Sequence, residues 1–113
     1  MHEQSLTEKM LKLVLEQAAL HDARTIKQIR IVIGDLSGII PGCVRHYFGI
    51  IAAGTPAEGA RLDLVRGKAL LYCPACGREF EKRPADFLCP DCGGLGRLTE
   101  SGRECFVESI EVD

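Results

Sequence analysis

A chain of 113 residues is the size of one domain. Hydrophobic residues make up 46% and charged residues 27%, which fits an ordinary globular protein and excludes an intrinsically disordered one. The 14 basic and 16 acidic residues leave a formal net charge of −2, without the basic excess that a polyanion-binding protein usually shows.

Residues 5–20 read as a helix. Leu6, Met10, Leu13, Val14 and Gln17 fall on one stripe, with Thr7, Glu8, Lys9, Lys12 and Glu16 mostly on the wet side. Ser5 and Glu8 have capping-box spacing, so Ser5 is the expected N-cap and Met1 to Gln4 precede the helix, free to wrap something. Residues 26–34 read as a strand with Ile29, Ile31 and Ile33 on one face and Gln28, Arg30 and Val32 on the other. The run Gly34-Asp35-Leu36-Ser37-Gly38 breaks it. Pro41 suits the first turn of a second helix, running to about Ala53, with Val44, Tyr47, Phe48 and Ile51 as its stripe. Gly54 and Pro56 stop it, and residues 60–66 form a second strand with Leu62 and Leu64 on one face. A cysteine-rich segment follows. The last stretch, Arg103 to Val112, is rich in strand formers and too short to fold alone, so it is expected to rejoin the earlier strands. The reading is an α+β fold: two helices packed on a small, mostly antiparallel sheet, with a zinc-ribbon-like lobe inserted between two strands. Trp is absent and aromatics are 5%, so the core must come from Leu, Ile and Val.

No apolar run is long enough to cross a bilayer, and the N-terminus lacks a basic stretch followed by an apolar one. No membrane association and a cytoplasmic location are expected. In a reducing compartment, paired cysteines are better read as metal ligands than as disulfides.

The segment Cys73-Pro-Ala-Cys76-Gly is separated by twelve residues from Cys89-Pro-Asp-Cys92-Gly. Two residues between cysteines allow a tight turn to bring both sulfurs to one point, about 2.3 Å from a metal. The glycine after each pair tolerates the backbone bend. Two such knuckles supply a closed tetrahedral sulfur shell on Cys73, Cys76, Cys89 and Cys92, a donor set that favours Zn(II) over nickel or magnesium. All four positions are filled by protein, so this zinc is structural rather than catalytic. Two disulfides, free thiols or an iron–sulfur cluster are the other readings of the pattern. A metal that adds folding energy suits a chain this short.

The chain begins Met1-His2-Glu3. An early histidine is most often an exposed side chain without a role. Yet the Met1 amine, the His2 amide nitrogen and the His2 imidazole can close small chelate rings on one ion, and the Glu3 amide is a further donor. Square-planar, nitrogen-rich coordination is what Ni(II) or Cu(II) prefers. In a plane one amide nitrogen has only two cis neighbours, so these donors cannot all flank the His2 amide. A further ligand or a rearranged set is needed.

Together these residues resemble the HypA/HybF family across almost the whole chain. The Met1-His2-Glu3 start matches its nickel motif, and the two cysteine pairs match its zinc loop. The segment Gly54-Thr55-Pro56-Ala57-Glu58-Gly59-Ala60 and the closing Ser101 to Val112 are similar to the corresponding family segments. The resemblance implies a nickel metallochaperone for NiFe-hydrogenase maturation, with Ni(II) as transient cargo on Met1, His2 and Glu3. It implies residues 1–66 and 103–113 as the nickel-binding α+β domain and 67–102 as the zinc-binding domain. It also implies cooperation with the HypB GTPase and the hydrogenase large subunit and, in some organisms, with urease accessory proteins.

Cys43 and Cys105 are not expected as ligands. Cys43 and His46 can share a helix face, but read as a small buried hydrophobe and a boundary histidine. Asp35 and Ser37 lie in a loop that can approach the N-terminus, though turn chemistry explains them equally. His21 next to Asp22 looks like a helix end, where a basic ring meets the negative end of the dipole. No phosphate-binding glycine loop or supported nucleophile is present, so no enzyme activity is expected. The alternative function is a zinc-ribbon adaptor for protein or nucleic acid. Residues 66–103 carry seven basic and five acidic side chains and few aromatics, which speaks against nucleic acid.

Overall fold

The computed structural model describes residues 3–83 and 86–113. In chain order the elements are α1 (Glu3–Leu20), β1 (Ile26–Gly34), α2 (Pro41–Ile51), β2 (Arg61–Gly67), β3 (Leu70–Cys73), β4 (Arg78–Glu81), β5 (Arg97–Leu98) and β6 (Cys105–Val112). β1 is the middle strand of a three-stranded sheet of order β2-β1-β6. Its pairing with β2 is parallel, from Gln28↔Arg61 to Gly34↔Gly67. A parallel neighbour needs a crossover, and α2 supplies it. The pairing of β1 with β6 is antiparallel, from Ile26↔Val112 to Ile33↔Cys105, so the sheet is mixed. Between β2 and β6 the chain builds a second, antiparallel sheet of order β4-β3-β5.

The alternation in β1 sends Ile29, Ile31 and Ile33 under the helices. There they meet Met10, Leu11 and Val14 of α1, Val44 and Phe48 of α2, and Leu62 of β2. The opposite face of the sheet carries charge: Arg30 donates from Nε to Asp63 at 2.8 Å and lies 3.9 Å from Glu108.

Two expectations for α1 are corrected. The helix starts at Glu3, so Ser5 is inside it rather than at its N-cap, and Glu3 and Gln4 do not precede it. Both are good helix formers, and an acidic side chain in the first turn suits the positive end of the dipole. The buried stripe is also rotated: it consists of Thr7, Met10, Leu11, Val14 and Ala18. Leu13 is 45% exposed and Gln17 is exposed. Small Thr7 and Ala18 allow close approach of a helix wedged between α2 and the sheet. The buried Thr7 hydroxyl donates to the Glu3 carbonyl, which removes the cost of burying it unpaired.

The two crossings between the sheets converge on one loop. Asp35 N–H donates to Gly67 O at 2.8 Å, Leu36 N–H to Gly102 O at 2.7 Å, and Gly34 N–H to Glu104 O at 2.8 Å. A Cβ on Gly34 would stand 2.2 Å from Gly102 O, and one on Gly102 would stand 2.5 Å from Ala69 Cβ. Glycine is therefore required at both by contact, and at Gly102 also by its φ of +73°. Arg66 adds a polar clasp, donating from Nε to both Asp35 oxygens (2.9 and 2.7 Å) and from Nη2 to Lys82 O (3.2 Å).

Candidate metal centre

The first cysteine pair occupies the turn between β3 and β4, whose register closes on Cys73↔Arg78. Gly77 N–H donates back to Cys73 O at 2.8 Å, with Gly77 at φ +73°. The second pair repeats the device: Gly93 N–H donates to Cys89 O at 2.9 Å, with φ +74°. Cys89 N–H then donates to Gly94 O at 2.8 Å, closing a small loop flanked by the Leu88↔Leu95 bridge. Both knuckles thus turn on a glycine in the left-handed region, which other residues adopt only with strain.

These turns bring all four sulfurs within 4.8 Å of one another. Cys73 and Cys92 Sγ are 3.4 Å apart, and Cys76 and Cys89 Sγ 3.7 Å. The distances exceed a disulfide bond of about 2.05 Å. They lie just under the sulfur–sulfur edge of about 3.8 Å that a tetrahedron of 2.3 Å Zn–S bonds would have. The donor set and spacing therefore fit Zn(II). Cys73 and Cys89 are buried; Cys76 and Cys92 are exposed. Gly94 leaves room for the shell, since a Cβ there would lie 3.3 Å from Cys92 Sγ and 3.5 Å from Cys73 Sγ. Arg78 Nη1 donates to Asp91 at 2.9 Å and ties one knuckle to the other.

The thiols do not share protons evenly. The Cys76 backbone N–H, with further hydrogen bonds, brings Cys73 down to about 7 against the opposing effect of its burial. The Arg78 N–H acts to lower Cys76, but its hydrogen bond with Cys73, partial desolvation of the sulfur in an otherwise exposed residue, and the neighbouring sulfurs push it up to about 11 on balance. Cys92 is also raised on balance: the Gly94 N–H lowers it, while Cys73, burial and Cys89 outweigh that. One thiolate is favoured and further negative charge is resisted, as expected of a cluster that requires a cation to ionise fully.

The other candidates fall as follows. Met1 and His2 lie outside the described residues. Glu3 opens α1, and one turn further on Leu6 lines a small cavity with Ser37, Ile39, Arg103 and Cys105. Ser37 therefore lies close to the start of α1, whereas Asp35 is held by Arg66. Cys43 and Cys105 are half-buried free thiols, and among the described residues only the four-cysteine group gathers as a metal cluster. His21 Nδ1 lies 2.9 Å from Gln17 O, a carbonyl of the last helical turn, as a helix-end ring should. The sequence reading missed Gly94 and the Arg78–Asp91 tie. The glycine doublet after Cys92 and the opposite charges beside the two knuckles were the available signals.

Residues 1–112 match the family described as hydrogenase/urease nickel incorporation, metallochaperone, HypA. The chain belongs to the HypA family. It is 39% identical to the hydrogenase maturation factor HypA of Caldanaerobacter subterraneus subsp. tengcongensis, over 114 residues and 100% of both chains. Identity to the HypA of Aquifex aeolicus is 34%, covering 100% of this chain and 98% of that one. The fold is similar to the solution structure of the Ni metallochaperone HypA from Helicobacter pylori, with a TM-score of 0.67, 26% identity and 99% and 97% of the two chains covered. Membership sets the chain among nickel metallochaperones of hydrogenase maturation, and its four-cysteine cluster fits the zinc reading. No described helix is long and apolar enough to cross a membrane.

Proposed function

We propose that this chain takes up Ni(II) at Met1-His2-Glu3 in the cytoplasm and delivers it for NiFe-hydrogenase maturation, while Zn(II) on Cys73, Cys76, Cys89 and Cys92 holds the lobe of residues 67–102. Residues 1–66 and 103–113 form the nickel-bearing unit. The observation that carries the reading is the HypA match over residues 1–112, which takes in the Met-His-Glu start as well as both cysteine pairs. When bound, Zn(II) supplies the charge that four thiolates need and no open position for chemistry.

The beginning of α1 suits a cargo site. The first amides of a helix have no intrahelical acceptor, so the Glu3 nitrogen is not committed to the helix and stays available beside the His2 donors. The positive end of the helix disfavours a cation there, while the Glu3 carboxylate offsets it. The reaction is transfer rather than catalysis. The resemblance supports the HypB GTPase and the hydrogenase large subunit as partners, and the family's description extends the same role to urease. In the lobe, Lys68, Arg78 and Arg83 are tied in ion pairs, and seven basic against five acidic side chains over residues 66–103 make only a mildly positive field for a nucleic acid.

Metal titration tests the assignment. His2→Ala should lose nickel and keep zinc, and an N-terminal extension that blocks the Met1 amine should weaken nickel binding. Unchanged nickel uptake by His2→Ala would remove the site from the N-terminus.

A further inference from the structure

The α1 stripe that the sequence assigns to the core is rotated, and the rotation leaves Leu13 facing a groove of about 450 Å³. Leu13, Gln17 and His21, each four residues apart, form its helical wall. The opposite wall is β6, from Val107 to Ile110 and again at Val112. Strand side chains alternate between faces, so four consecutive residues on one groove mean that the groove follows the backbone edge. β6 is the terminal strand of its sheet, and among the described residues its outward N–H and C=O groups have no strand partner. An apolar groove between a helix and an open strand edge is the geometry in which extended peptides are bound by strand addition.

Charge defines the occupant. From Cys105 to Asp113 the chain carries Glu108, Glu111 and Asp113 and no basic residue. Among the described residues Glu111 makes no ion pair, and the only one of Glu108 is its 3.9 Å contact with Arg30. Like charges directly opposite on paired strands are destabilising, which disfavours a second copy of β6 and favours Lys or Arg on the incoming strand. The register sets its length. Arg30 pairs with Ser109 and Ile31 with Val107, so Glu108 is bulged out; regular pairing runs from Ser109 to Glu111, and the second irregularity, between Gln28 and Ile26, adds its extra residue to β1 and leaves β6 continuous to Val112.

We propose that β6 and the α1 groove beside it bind a short extended segment of a partner protein, with alternating aliphatic and basic side chains, as an added strand along Ser109–Val112. The inference does not depend on where nickel binds. The probe is the blocked peptide acetyl-Lys-Val-Lys-Val-Lys-Val-amide, titrated into the zinc-loaded full chain and followed by amide NMR. Saturable shifts are expected in Ser109–Val112 and along the Leu13 side of α1. A Glu-for-Lys peptide, and one N-methylated at alternate amides, should each bind about tenfold more weakly. Leu13→Ser should weaken binding by a similar factor with zinc content and helical circular dichroism unchanged. Equal binding of the N-methylated peptide, shifts elsewhere, or no binding up to millimolar peptide would overturn the proposal. So would β6 shifts that grow with protein concentration alone, which would assign the edge to a second copy.

Discussion

Ile29, Ile31, Val14 and Val44 are almost fully buried in the helix-covered sheet, each within one continuous apolar cluster. In the second sheet and its loops, the buried apolar and cysteine side chains among the described residues are Ala69, Leu71, Cys73 and Cys89. Leu70, Tyr72, Phe87, Leu88, Leu95 and Leu98 are left exposed there. The first region excludes enough water to hold itself together, whereas the second has a core of a few side chains and four sulfurs. One fold therefore contains two differently built regions, and only the second gathers a sulfur cluster to which an ion would add stability.

Removing the ion should produce the largest contrast. Structural zinc contributes apparent free energies of about 10–16 kcal/mol in small metal-folded peptides. Chelation or Cys73→Ala should therefore abolish hydrogen-exchange protection in residues 67–102 while the helices and the β1 amides stay protected. The same loss should follow acidification, because zinc needs thiolates and protons compete for every sulfur of the shell. Zinc competition by a chelator at two pH values either side of 7 measures it, and equal affinities would contradict the charge argument. Ile29→Ala should do the reverse, costing about 2–5 kcal/mol in denaturant unfolding with zinc stoichiometry intact. Gly34→Ala strikes the junction. Overpacking there should cost about 1–3 kcal/mol or more, and both regions should report it. Asp113→Asn is the smallest step. The Asp113 carboxylate accepts the N–H groups of Thr25 and Arg24, which hold its pKa below the usual value. A depressed carboxyl stabilises the fold above its unfolded pKa and ceases to do so as pH falls through the folded one. The variant should lower stability slightly at neutral pH, where the charged acceptor is lost, and flatten the acid limb of the profile, so that the two proteins converge at low pH.

Much of this contrast is legible in the sequence. The alternation of Ile29, Ile31 and Ile33 set the core face of β1, and Pro41 set the start of α2, because backbone constraints and period-two burial act locally. The cysteine pairs revealed their gathering for the same reason: each knuckle is closed by a five-residue turn. What escaped was set by tertiary packing. Thr7 and Ala18 are buried because α2 and the sheet meet α1 there, which no apolar count along one helix records. The parallel run of β2 beside β1 depends on the crossover through α2, and it makes the expected, mostly antiparallel sheet a mixed one. Gly34 and Gly102 are ordinary turn residues by sequence and contact partners only in three dimensions.

That contact at Gly34 has an architectural consequence. β2 departs and β6 returns on either side of the same central strand, about 10 Å apart across two strand spacings. Three extended residues span such a gap. Residues 68–101 can thus be excised and the cut ends rejoined by a minimal bridge, which would leave the helix-covered sheet alone with its middle strand still paired on both sides.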